Sequence, residues 1–188
     1  MFFGYVVAAS TAAATMDSSR ATYLVVLIGA LAWCAAIILA PALAATTGRL
    51  QPIGEFLYRF FHPICHQLDN RSLHLFGGAL GVCSRCSAIY FSFLGGTLAY
   101  PLVRDLRSTA LPHRIILAAG LIPLVVDGLV GGGILYHTTL GIRLVTGAVA
   151  GATLPFYILP AAIEGAGQIW NERLHHLTDH TQKGMDDA

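Results

Sequence analysis

Long uncharged apolar runs alternate with short polar stretches along this chain, and the run lengths set the first expectation. Thr22 to Ala45 carries no charge and is long enough to cross about 30 Å of hydrocarbon. Residues 86–103, 115–136 and 140–163 form three further apolar runs. The pattern predicts an all-α integral membrane protein with four transmembrane helices, spanning about 22–45, 86–103, 115–136 and 140–163. The third span contains Pro123, Asp127-Gly128 and Gly131-Gly132-Gly133, which predicts a kink or local unwinding. The fourth carries Gly147 and Gly151. This small-xxx-small face lets another helix approach closely and offers a surface to a membrane-protein partner.

Between the first two spans the periodicity changes. Ile53, Phe56, Leu57, Phe60, Phe61 and Ile64 recur at helical spacing, with Glu55, Tyr58, Arg59 and His62 opposite. Residues 52–64 therefore read as an amphipathic helix, either lying in the membrane interface or packed on the bundle. After the fourth span, residues 168–180 repeat the pattern, with Ile169, Trp170, Leu174 and Leu177 as anchors and His175, His176 and His180 on the polar face. The resulting organisation is an N-terminal extension over 1–21, a four-helix transmembrane domain over 22–163, and a polar C-terminal tail over 164–188. Met1 to Thr15 carries no charge and lacks the basic start of a signal peptide. Met16-Asp-Ser-Ser-Arg20 looks like an ordinary polar start, so Met1 and Met16 both stand as start residues.

Composition strengthens the membrane reading. Of 188 residues, 55% are hydrophobic and 11% charged, with a mean hydropathy of +0.66; a soluble domain carries about twice that charge. The net charge of +1 implies no nucleic-acid surface. Four spans place both termini on one side. Arg104, Arg107 and Arg114, with Arg173 and Lys183, face Arg49, Arg59, Arg71, Arg85 and Arg143 across the membrane. That positive-inside comparison is close to a tie. The orientation taken puts both termini in the cytoplasm and turns the loop between spans one and two outward.

That loop concentrates the chemistry. Cys65-His66, a spacer of sixteen residues and Cys83-x-x-Cys86 fit the spacing of a structural zinc site, because a Cys-x-x-Cys knuckle turns both sulfurs toward one point and further ligands complete a tetrahedron. Cys65, Cys83 and Cys86 are the expected thiolate ligands. The fourth ligand is open between His66, awkwardly adjacent to Cys65, His62, one helical turn earlier, and His74, inside the spacer. A redox reading competes. Cys83 and Cys86 sit at the start of a predicted helix with Arg85 between them, and both the helix end and the cation favour thiolate. In outline this resembles quinone-linked disulfide-forming membrane enzymes, although Cys65 and Cys34 make a poor second pair. The plain alternative is a structural disulfide or free thiols. Cys34, alone in mid-membrane, reads as a small packing residue.

Asp127 inside span three and Arg143 near the start of span four are the remaining candidates. Intramembrane charge is expensive and marks a site by default. Asp127 lies nine residues before Tyr136, roughly 13 Å along a helix axis, within reach of Arg143 on an antiparallel neighbour. Connectivity puts Cys65, Cys83, Cys86, Arg71, Arg85, Asp127 and Arg143 in one half of the membrane. The expectation is a polar site capped by the Cys/His loop, whose arginines can hold a phosphate or carboxylate.

In their order, Cys65-His66-Gln67, Arg71-Ser72, Cys83-Ser84-Arg85-Cys86 followed by Ile89-Tyr90, then Pro123, Asp127-Gly128, Arg143, Thr146-Gly147 and Gly151 resemble a family of small membrane proteins of bacteria and archaea, domain of unknown function 2085. The resemblance covers about Phe56 to Gly151. It departs at Ser87-Ala88, where the family often has Thr-Gly, and at His137-Thr138-Thr139, before the late arginine. It implies the same architecture and the same residues, and no reaction. Three functions follow. The leading one is a membrane protein, not an enzyme, whose loop is held by zinc or a similar soft-ligand metal, serving as carrier or binding component for a small anion or lipid head group. The second is thiol–disulfide exchange through Cys83 and Cys86. The third is a scaffold subunit of a larger membrane complex.

Overall fold

The computed structural model describes the backbone of residues 2–130 and 138–186 and, within these, the side chains of residues 18–129, 138–170 and 172. The chain is an integral membrane protein built almost wholly of helices: α1 (Phe2–Ala44), α2 (Gln51–Phe61), α3 (Ser84–Val103), α4 (Arg114–Val130), α5 (Leu140–Thr153) and α6 (Pro155–Asp186). A 3-10 turn (Asp69–Arg71) and a two-stranded antiparallel ribbon, β1 (His74–Leu75) and β2 (Gly78–Ala79), lie between α2 and α3. Among the described residues, three stretches are long and apolar enough to cross a membrane: Ser18–Ala44, Ser84–Val103 and Leu140–Trp170. The third expected span is described only as far as α4; Gly131-Gly132-Gly133 lie outside the described residues, as do the side chains of His175, His176 and His180.

The surface is apolar in the way a lipid-facing surface must be. Leu24, Val25 and Ile28 on α1 and Ile115, Val125 and Leu129 on α4 are exposed, and Leu102 on α3 is 87% exposed. In water, so wide an apolar surface would drive association; hydrocarbon solvates it.

Glycine sets the interior spacing. A Cβ on Gly147 would stand 2.6 Å from the Arg85 carbonyl oxygen, and one on Gly151 would collide with Ile89 O and Ser92 Oγ. On the other side of α5, a Cβ on Gly120 of α4 would come 2.5 Å from Thr153 Oγ1. Thus α5 sits between α3 and α4. The Gly147/Gly151 face, expected to receive a partner protein, is filled by α3 of the same chain. A small-residue stripe favours close helix approach but does not say whose helix comes.

Proline explains how the loop is anchored. Pro41 lies inside α1 and has no N–H for the carbonyl of Ile37, four residues earlier. Gly81 N–H takes that vacancy at 3.2 Å, and its missing side chain permits the approach, since a Cβ would meet Ala40 Cβ and Phe61 Cδ2 at 3.2 Å. Pro101 in α3 similarly frees the Thr97 carbonyl, to which Tyr23 OH of α1 donates at 3.3 Å. Both bonds tie α1 to the site-bearing segment by satisfying a buried acceptor.

The loop packs on a core of Ile37, Phe61, Cys65, Leu80 and Val82. Trp33 closes it, edge-on to Phe61 and Tyr90 with ring centroids 5.3 and 5.6 Å away. The helix α2 is anchored by Gly54, in contact with the Ala44 backbone, and by buried Phe61, while Ile53, Phe56 and Phe60 remain exposed on its apolar face. The ribbon turns at Phe76-Gly77, both with positive φ (54° and 80°), the backbone that a two-residue hairpin loop requires.

Candidate functional site

Three cysteines from separate points of the chain meet. Cys65 follows the last turn of α2, where its N–H bonds Phe61 O at 2.9 Å. Cys83 is the extended residue that caps α3, and Cys86 lies in that helix's first turn. Their sulfurs all lie within 4.8 Å of one another. Cys83 N–H donates to Cys65 Sγ at 3.2 Å. Thiol hydrogen bonds from Cys83 and then Cys86, with amide bonds from Cys83 and Gln67, hold the Cys65 thiol well below its usual range against the opposing effect of burial.

Gln67, given no role from the sequence, fixes this geometry. Its backbone has φ +49°. Its Nε2 donates to Tyr58 O at 2.8 Å and Gly81 O at 2.7 Å, clamping the loop between α2 and the segment leading into Cys83. Tyr58 OH adds a bond to Ala79 O. The signal was present as the third residue of Cys-His-Gln, but nothing in that tripeptide names its acceptors.

The histidines stand apart from the sulfurs. Among the described residues, the thiol group contains none. His66 is exposed yet lines the same cavity as the cysteines. His62 is exposed, and His74 Nε2 lies 2.9 Å from Asp69 Oδ1 on the ribbon. Of the three histidines weighed as fourth ligand, His66 alone borders the site. Cys34, buried in α1, donates to Tyr90 O at 3.5 Å and does not join the group.

A cavity of about 320 Å³ opens beside the sulfurs, lined by Cys65, Cys83 and Cys86 and by Arg71, Arg85 and Arg143. The arginines arrive from the 3-10 turn, the first turn of α3 and the first turn of α5. Asp127 of α4 stands behind Arg85. The expected Asp127–Arg143 pair is replaced by Asp127–Arg85, with Arg85 Nη2 2.5 Å from Asp127 Oδ2 and 3.2 Å from its carbonyl oxygen. The reason is packing: Gly147 admits the Arg85 turn against α5, so the knuckle arginine reaches α4. Arg143 turns away and donates through Nε to Thr138 Oγ1 at 2.7 Å. Thr146, another residue without an assigned role, places its hydroxyl 3.2 Å from Asp127 Oδ2.

The departures from the family pattern have structural places. Ser87 Oγ donates to Val82 O at 3.3 Å, and Ala88 packs where a Cβ on Gly147 would stand 3.0 Å away. Thr138 receives Arg143, and Thr139 caps α5 by accepting from Ile142 N–H.

Chemically, the arrangement offers a soft-ligand pole of three sulfurs beside a cationic pole of three guanidinium groups, with one buried carboxylate. Comparison with known proteins agrees in extent with this unit. The family described as "Predicted membrane protein (DUF2085)" matches residues 65–157, from the first site cysteine to just past α5. An uncharacterized protein of Methanocaldococcus jannaschii is 38% identical over 148 residues, covering 76% of this chain and 93% of its own length. No solved structure matches the chain.

Proposed function

The chain belongs to this family of predicted membrane proteins, and from that premise we propose that it is a metal-binding membrane protein in which Cys65, Cys83 and Cys86 hold zinc or a similar soft-ligand metal. The observation that carries the reading is the mutual approach of the three sulfurs to within 4.8 Å. Tetrahedral bonds of about 2.3 Å to zinc separate sulfurs by roughly 3.8 Å, so small side-chain adjustments close the group on one ion. The donor set also fits. The hydrogen bonds that Cys65 receives favour its ionised form, and the Cys83 amide on its sulfur is an outer contact of the kind that orients metal ligands.

Three protein ligands leave one position for a further ligand. The cysteines themselves line the cavity, so that ligand comes from His66 or from a molecule admitted there. When bound, the metal would supply a Lewis-acid centre and a fixed cross-link between the loop and α3. The residues of the chain do the rest. Arg85 and Asp127 tie the knuckle to α4, and Gln67 holds the loop in register. Three thiolates around a divalent ion leave one negative charge, which the neighbouring arginines stabilise.

Elemental analysis of protein purified in a phosphate-free maltoside detergent, with thiol titration before and after chelation, tests this. About one zinc-like ion per chain, thiols released by chelator, and loss of metal in Cys65→Ser and Cys83→Ser but not Cys34→Ser are the expected results. Metal-free protein with a reversibly oxidisable Cys83–Cys86 pair would overturn the proposal in favour of thiol–disulfide exchange. Metal-free, redox-inert protein would overturn both.

A further inference from the structure

The arginines have a use that the metal does not exhaust. Arg71, Arg85 and Arg143 come from three separate elements and border one cavity of about 320 Å³, at the lower end of small-molecule sites, roughly 300–1,000 Å³. Among the described residues, Asp127 is the single carboxylate within ion-pair distance of any of them, and it is committed to Arg85. Arg143 is only 8% exposed and spends its Nε on Thr138, which among the described residues leaves its terminal nitrogens for another acceptor. Arg85 Nε is buried without a hydrogen-bond partner among the described residues. Guanidinium groups gathered at the edge of a bilayer repel one another and lose hydration, a cost that a bound anion reverses.

We infer that this cavity binds a phosphate-class oxyanion through Arg71, Arg85 and Arg143. The choice of class follows from donor geometry. A planar carboxylate offers two oxygens in one plane, both engaged by one guanidinium fork. A tetrahedral phosphoryl group presents three or more oxygens and up to two charges, enough to engage forks arriving from three directions. The site lies where the loop meets the first turns of α3 and α5. A free phosphate and the phosphoryl head group of a lipid therefore carry the same chemistry to it. The inference stands on the arginines and holds whether or not the thiols carry metal.

Isothermal titration of the intact protein, as purified in phosphate-free maltoside, with inorganic phosphate, dihexanoyl phosphatidic acid and acetate separates the outcomes. Saturable binding of phosphate or phosphatidic acid is expected, weakened tenfold or more by Arg71→Gln and by Arg143→Gln. Arg143→Lys, which keeps the charge, should retain part of the affinity, and Arg59→Gln, on the exposed face of α2, should retain all of it. Binding of inorganic phosphate identifies the free anion as a ligand. Binding of phosphatidic acid alone, with phospholipid recovered by mass spectrometry from wild type but not from Arg71→Gln, identifies the head group. Acetate binding as tightly as phosphate would overturn the class. Unchanged affinity in well-folded Arg71→Gln and Arg143→Lys, or no binding of either phosphate probe, would overturn the site. Elemental analysis of the same samples reports on the metal separately, so the two proposals fail independently.

Discussion

Replacing Asp127 by Asn removes one charge from the centre of the site while preserving its shape. Arg85 Nη2 and Asp127 Oδ2 are 2.5 Å apart, and the side chains are 25% and 3% exposed. Charge centres about 4 Å apart attract by about 4 kcal/mol at an effective dielectric constant near 20, and part of that is already spent on desolvation. Breaking such a pair from one side costs more than the pair is worth, because the survivor stays buried and uncompensated; the usual loss is about 3–5 kcal/mol. Arg85 keeps a quarter of its exposure and borders the cavity, so Asp127→Asn falls at the low end, about 3 kcal/mol. Arg85→Gln strands the almost fully buried carboxylate and should cost about 4 kcal/mol or more. The double variant removes both charges, so its loss should fall short of the sum by at least about 2 kcal/mol. Asp127→Asn combined with Arg143→Gln should couple more weakly, because those two groups are not paired. Reversible unfolding in mixed maltoside–dodecyl sulfate micelles, followed by tryptophan fluorescence, gives these energies. A loss below about 1 kcal/mol for Asp127→Asn, or a larger coupling to Arg143 than to Arg85, would refute the reasoning.

Other outcomes follow from the same contacts. Gly151→Ala drives a methyl group into the Ile89 carbonyl and Ser92 and should destabilise by about 1–3 kcal/mol in the same unfolding assay. Gly95→Ala, with nothing within 4 Å of the new Cβ, should be neutral or gain up to about 1 kcal/mol from helix propensity. Gln67→Ala loses two hydrogen bonds and should cost about 1–3 kcal/mol, with faster maleimide labelling of Cys65 as the loop loosens; unchanged labelling would count against the clamp. Arg20, Arg104 and Arg107 border one pocket at the end of the molecule away from the thiols. If Arg71, Arg85 and Arg143 serve the site, the positive-inside comparison favours the arginine end in the cytoplasm. A C-terminal fusion should then be fluorescent with green fluorescent protein and inactive with alkaline phosphatase; the reverse pattern rejects that orientation.

Some of this site was written along the chain and some was not. The Cys-x-x-Cys knuckle was legible because its sulfurs converge through local backbone geometry. Cys65 was legible as a thiol in the only polar loop rich in such groups. Which histidine borders the site was not, because one residue of register in an irregular loop decides where a ring points. Asp127 and Arg143 were recognisable as expensive intramembrane charges, but their pairing was not. The nearest helix in sequence, α5, was the obvious donor, yet Arg85 of α3 reaches Asp127 first. Gln67, Thr146 and Thr138 were invisible as site residues because their acceptors and donors lie on other elements.

The sequence by itself determined that this is a helical membrane protein and where its apolar runs lie, since the thickness of hydrocarbon imposes a length and a composition that can be counted along one dimension. It determined also the residue types that carry chemistry. Tertiary structure alone decided that α3 fills the Gly147/Gly151 face, that Gly81 takes the carbonyl Pro41 leaves free, and that Arg85 belongs to Asp127. Each depends on the rotation of one helix against another, which is set by contacts among residues far apart in the chain. That same rotation brings three cysteines and three arginines to the walls of one cavity.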